Sequence, residues 1–228
     1  MTYNPQAQPP FYDHHDFTIP VGSDWVCIGG GARGETPTGF NGNFLSASFP
    51  MSDWRSWKVM SRDHISYFPC PLDGFAIGMK IDGLTRNQLI ANLRHTSSIS
   101  PSEASHPDHI CLVEPGFLLL IAGFEVLDQM EGGGNIGTGS ISDSSISWRA
   151  RSKDEYIISP SRIRVFATEI SPNIRNAVGQ VIGNVATTFA SSEVLNPTSN
   201  PASIVKPLPG IALCRGGGDA HYDVNQLL

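Results

Sequence analysis

The chain is short of charge. Only 16% of its 228 residues are Asp, Glu, Lys or Arg, too few for long helices laced with surface ion pairs. The balance of sign excludes another class. With 15 basic against 21 acidic residues the net charge is −6 and the isoelectric point lies near 5.6. There is no basic stripe to meet nucleic acid or an anionic membrane surface. Long apolar runs are missing too, the longest being residues 117–122, far too short to span a bilayer as a helix. The first ten residues have neither the cationic start nor the apolar core of a signal peptide. Cys27, Cys70, Cys111 and Cys214 show no CxxC spacing and none of the density of a disulfide scaffold. Together these absences predict a cytoplasmic protein with buried thiols and no membrane span.

Turn chemistry is what the chain has in quantity. Twenty-three Gly and 17 Pro beside 40% hydrophobic residues indicate a turn-rich β protein. Between Trp25 and Ile81, four short apolar or alternating runs are separated by turn residues, which reads as a four-stranded antiparallel unit. Much of it recurs. Phe117 stands 92 residues after Trp25, and Trp148 stands 91 after Trp57. Pro160 repeats Pro69, and Phe166-Ala167 repeats Phe75-Ala76. Gly216-Gly217-Gly218 begins what reads as a third copy, with Asn225-Gln226-Leu227-Leu228 standing for Gly42-Asn43-Phe44-Leu45.

The expected organisation is an N-terminal arm over residues 1–24 and one repeat-built β domain over 25–228. Its copies occupy 25–93, 117–170 and, in part, 211–228. A half copy cannot bury its own face. It either closes the body within the chain or pairs with another subunit, making a homo-oligomer. The fold expected is all-β, with pseudosymmetric antiparallel sheets in a β-prism-like body, or else a two-sheet β-sandwich. Thr85 is a candidate N-cap for one short helix after the first copy, and residues 95–109 read as a polar loop.

The Gly triplet, Asn-Phe-Leu-Ser-Ala-Ser-Phe-Pro, Trp-Lys-Val-Met-Ser-Arg-Asp-His and Phe-Ala-Ile-Gly-Met-Lys-Ile resemble a tandem repeat of uncharacterised microbial β proteins. There the pattern is close to W-V-GGGA, GNLLTASYP, W-SKDH and YAIGLKI. The resemblance implies repeat organisation and no activity. The second copy departs from it at Ala122, at Phe124 and at Glu155.

Several residues carry candidate chemistry. Gly30 and Gly31 follow an apolar strand, where glycine permits a bulge, a sheet corner or close approach of a ligand. The triplet has neither GxGxxG spacing nor a P-loop lysine, so no cofactor is implied. Asp63 and His64 at a strand end suit acid–base work, metal binding or hydrogen bonds to sugar hydroxyls; in the second copy the pair becomes Asp154 and Glu155. An aspartate there also suits turn capping. Trp57 and Trp148 read as core anchors, whereas Trp54, without a counterpart, suits ligand stacking. Tyr67 and Asn43 would complete the same pocket. His14-His15 and His106-Pro107-Asp108-His109 place imidazoles beside carboxylates, but neither group makes a metal site without a further ligand supplied by the fold.

Two functions follow. A lectin-like or toxin-like module would bind a hydroxyl-rich small molecule or glycan through similar surface sites in each copy. A non-redox hydrolase, isomerase or cyclase would instead use one deep pocket, with His64 and Asp63 or Glu155 as acid and base.

Overall fold

The computed structural model describes residues 2–7, 14–34, 43–63, 71–127, 134–154, 157–187 and 218–219. Its elements in chain order are β1 (Thr2–Ala7), β2 (His15–Pro20), β3 (Val26–Gly34), β4 (Asn43–Pro50), β5 (Ser56–Asp63), β6 (Leu72–Met79), α1 (Arg86–Ile90), β7 (Leu93–Ile99), β8 (Asp108–Leu112), β9 (Leu118–Val126), β10 (Asn135–Ser144), β11 (Ser147–Asp154), β12 (Ile163–Ile170), β13 (Asn173–Arg175), β14 (Val181–Asn184) and β15 (Gly218–Asp219). The protein is all-β, and every strand pairing is antiparallel. A three-stranded sheet runs β1-β6-β3, a six-stranded sheet β2-β5-β4-β9-β12-β7, and a four-stranded sheet β15-β10-β11-β8; β13 and β14 form a hairpin. This is a layered, sandwich-like or prism-like arrangement, with no closed barrel among the described residues.

Three apolar clusters hold the layers together. Between the three-stranded sheet and one half of the six-stranded sheet lie Ile19, Trp57, Val59, Leu72 and Ala76. Between the other half and the four-stranded sheet lie Phe124, Trp148, Ala150, Ile163 and Val165. The third cluster joins Val26, Ile28 and Ile170 to Leu89 of α1. Period-two patterning builds these faces. β5 and β11, at an offset of 91, show the same alternation of buried and half-buried positions. In each, the first tryptophan is buried and its Nε1 donates to a serine hydroxyl at 2.9 Å, Trp57 to Ser48 and Trp148 to Ser140.

Two described stretches of the expected arm over residues 1–24 are strands. His15–Pro20 pairs with β5, opposing His15 to Ser61 and Ile19 to Trp57. Thr2–Ala7 pairs with β6. Alternation of buried His15 and Ile19 with exposed Asp16 and Thr18 builds β2, a pattern hidden in the sequence because its inward residues include a histidine. The loop read over 95–109 also contains strand. Leu93–Ile99 pairs with β12, and Asp108–Leu112 pairs with β11. Thr85 does cap α1: its Oγ1 accepts from Gln88 N at 3.4 Å, and Gln88 Oε1 accepts from Thr85 N at 2.8 Å.

Glu169 is the misfit of this core. It is fully buried on β12, and neither carboxyl oxygen has a hydrogen-bond partner among the described residues. Arg94, opposite it in register, turns instead to Glu114 and lies 4.5 Å over the Phe117 ring. A buried ionisable group without partners is worse than an apolar one of similar size. Glu169→Leu is therefore expected to raise the unfolding free energy by about 1–3 kcal/mol, read as a higher urea midpoint at unchanged slope. A lower midpoint would show that the carboxyl group is stabilising.

Candidate functional site

The structure joins each aspartate of the Ser-Arg/Lys-Asp element to a histidine distant in sequence. His14 Nε2 lies 3.1 Å from Asp63 Oδ1, and His106 Nε2 lies 3.1 Å from Asp154 Oδ1. The histidines are 92 residues apart and their aspartates 91 apart. Each aspartate is the last residue of its strand, β5 or β11, and each histidine precedes the neighbouring strand. Side-chain exposure is 18% for Asp63 and 13% for Asp154, against 53% and 56% for the imidazoles. In both pairs a recessed carboxylate thus holds an outward ring. In the neutral tautomer this contact favours, Nε2–H donates to the carboxylate and Nδ1 becomes the acceptor.

The second pair has a supporting frame. Asp154 N donates to Ser105 O at 2.9 Å, and Ser152 N donates to Pro107 O at 3.0 Å, extending the β8–β11 ladder to the histidine. Asn135 is fully buried. Its Nδ2 donates to Ser159 O at 2.6 Å, and its Oδ1 accepts from Ser152 Oγ at 3.2 Å. Asn43, expected to contact ligand, is the register partner of Asp63, as Asn135 is of Asp154. A second ionic pairing also recurs, Lys58 with Asp16 and Arg149 with Asp108. Burial would raise the Asp108 pKa, but hydrogen bonds from Arg149 and Arg151 outweigh it and hold the carboxyl below its ordinary value.

The other expected site residues lie elsewhere. Gly30 sits on β3 so close to the core that a Cβ there would be 2.3 Å from Trp57 Cγ and 2.6 Å from Phe75 O. A Cβ on Gly31 would meet the Phe75 ring at 2.9 Å. A bulge lies between Cys27 and Gly29, where the triplet begins. Trp54 precedes β5 and Asp63 ends it, roughly 25 Å away at strand rise, so the two do not share a pocket. Trp54 has a left-handed φ of 58° and stacks on His95 with centroids 3.5 Å apart. His64, Tyr67 and Glu155 lie outside the described residues.

The imidazoles of the 106–109 segment separate, His106 to Asp154 and His109 Nε2 to Ser98 Oγ at 2.8 Å. No group of three His, Cys, Asp or Glu among the described residues is placed to hold a metal. Burial pushes the thiols up, Cys27 to about 12 and Cys111 to about 11, so neither is a ready nucleophile. An open cleft of about 360 Å³ between Asp82 and the β13–β14 hairpin contains none of the expected site residues.

The sequence signal that finds the pairs is the offset itself. Applied to histidines rather than to tryptophans and glycines, it aligns His14 with His106.

His95 supplies a pH dependence. Burial lowers its pKa to about 4, opposed more weakly by the Met51 carbonyl and Asp53. Between pH 6.5 and 4 the unfolded chain binds a proton that the folded protein does not, so stability falls as pH falls through that window. The loss at pH 5 relative to pH 8 is about 2 kcal/mol from this group. His95→Gln should flatten the acid limb of a urea-midpoint profile by that amount; an unchanged limb would exclude His95 as its cause.

No family model, no curated protein and no solved structure matches the chain.

Proposed function

We propose that the chain is a tandem-repeat β protein that binds a hydroxyl-rich small molecule or glycan in a lectin-like or toxin-like manner, one site per repeat. The observation that carries this reading is the twin pair His14–Asp63 and His106–Asp154, alike in atoms, distance and exposure. Exposed imidazole–carboxylate pairs give a sugar hydroxyl an acceptor and a charge-assisted partner side by side. Duplication suits avidity, since two weak sites on one rigid body bind a multivalent glycan more tightly than either alone. The recurring Trp–Ser and Lys/Arg–Asp contacts support the repeat reading. A hydrolase, isomerase or cyclase is the second reading, favoured by the carboxylate-buttressed imidazole, which is also an acid–base arrangement.

A glycan array followed by calorimetry tests the proposal. His14→Ala and His106→Ala should each weaken binding about tenfold, the worth of one charge-assisted hydrogen bond, and the double variant should abolish it. Stability should shift by less than about 1 kcal/mol, because both imidazoles are more than half exposed. An array with no bound glycan would overturn the binding reading, and turnover lost in one single variant alone would favour the enzyme.

A further inference from the structure

We infer that the cleft between the Ile81–Leu84 turn and the β13–β14 hairpin binds one small aliphatic ammonium compound per chain. No residue of the His–Asp pairs lines this cleft, and the inference does not rest on the glycan reading.

Local chain geometry sets the walls. Leu84 N donates to Ile81 O at 3.1 Å, closing a tight turn whose third residue, Gly83, has a left-handed φ of 83°. Across the cleft, the hairpin is tied to the end of α1 by Asn92, which is 6% exposed. Its Nδ2 donates to Gln88 O at 2.8 Å and to Arg175 O at 2.9 Å, and its Oδ1 accepts from Arg175 N at 2.8 Å. Val185 N donates to Pro172 O at 2.9 Å and closes the base of the hairpin. The cleft is thus preformed, and its volume of about 360 Å³ suits a small molecule.

The apolar wall comes from Ile81, Ile174, Ile182 and Val185. Ile81, Ile174 and Val185 also belong to or pack on the third apolar cluster, whereas Ile182 stays 43% exposed. Gly183 keeps the space beside them open. It is opposed in register by Ile174, so a side chain there would project to the same face as that buried isoleucine. Nothing lies within 4 Å of a Cβ built on Gly183.

The charge comes from Asp82. It is exposed and lines the cleft, and among the described residues nothing pairs with its carboxylate. The cations of the adjoining segments are engaged elsewhere. Lys80 lies 3.5 Å from Asp24 and 5.0 Å over the Trp25 ring. Arg86 donates to the carbonyls of Trp25, Asp53 and Trp54, and Arg175 to Gly179 O at 2.7 Å. An occupant complementary to an unpaired carboxylate beside aliphatic walls has a cationic head on a short hydrocarbon body. An anionic ligand would meet Asp82 with no cation in the lining to offset the repulsion. The hairpin follows β12 of the second copy, whereas α1 follows β6 of the first, so the cleft occurs once per chain and not once per repeat.

Titration of the full chain at low salt with n-hexylammonium, n-hexanol and n-hexanoate, followed on the isoleucine methyl resonances, tests this. The ammonium should saturate at one per chain and bind about fivefold more tightly than the alcohol, the upper worth of an exposed ion pair. The carboxylate should bind more weakly than either. Asp82→Asn should abolish the preference for the ammonium over the alcohol, and high salt should do the same in the unaltered chain. Gly183→Val should weaken binding of both at least about tenfold at an unchanged urea midpoint, since its Cβ enters open space. If that variant fails to fold, Asp82→Asn and the salt dependence still decide. No saturable binding of the ammonium, equal affinity for all three compounds, or a preference that survives Asp82→Asn would overturn the inference. Undiminished binding in a folded Gly183→Val chain would overturn it too.

Discussion

Gly123→Ala is expected to cost about 3 kcal/mol or more, enough to leave a domain of ordinary stability marginal. The reason is steric and lies in the backbone. The added Cβ would sit 2.2 Å from Ser48 O and 2.7 Å from Phe49 Cα, so relief requires β4 and β9 to part. Those strands form the seam that joins the two halves of the six-stranded sheet, and Phe49 and Phe166 stack across it. Gly183→Ala is the control, because nothing lies within 4 Å of a Cβ there. Urea denaturation should show a large loss for the first and less than about 0.5 kcal/mol for the second. Equal stability of the two variants would mean that the seam does not hold the sheet together.

Trp57→Ala should cost about 3–5 kcal/mol. The indole is 1% exposed and lies at the centre of the cluster formed by Ile19, Val59, Leu72 and Ala76. Its ring also fills the space that Gly30 leaves open, 2.3 Å from where a Cβ would stand. Truncation leaves a cavity that β-strands on both sides cannot close, and it strips Ser48 Oγ of its donor. Trp148→Ala should cost a similar amount, since Trp148 is 2% exposed and bonded alike to Ser140. Trp57→Phe with Ser48→Ala, measured as a cycle, should isolate about 1 kcal/mol for the hydrogen bond. A loss below 1 kcal/mol for either alanine variant would show that the tryptophan does not anchor its layer.

The β class and the four central strands of each half were legible because their inward positions are apolar and their turns carry Gly, Pro, Asn or Asp. β2 was not, since its inward residues are His15, Phe17 and Ile19 beside a Pro at the strand end. β7 was not either, because Leu93–Ile99 is almost wholly polar and becomes strand through its ladder to β12. Tertiary pairing overrides local pattern at both.

The site was half legible. Asp63 and Asp154 are legible from their repeated position, but adjacency in sequence points to His64 as the imidazole. The ring that reaches Asp63 is that of His14, from across the β2–β5 ladder. Gly30 was legible as a position needing close approach, yet what approaches it is Trp57.

The most direct test of the central claim, that the two His–Asp pairs are equivalent ligand sites, is a histidine-resolved NMR titration with a glycan selected on the array. The His14 and His106 ring resonances should move together and saturate at two ligands per chain, while those of His95, stacked against Trp54, should stay fixed. Movement of only one of the two, or of neither while ligand binds, would contradict it.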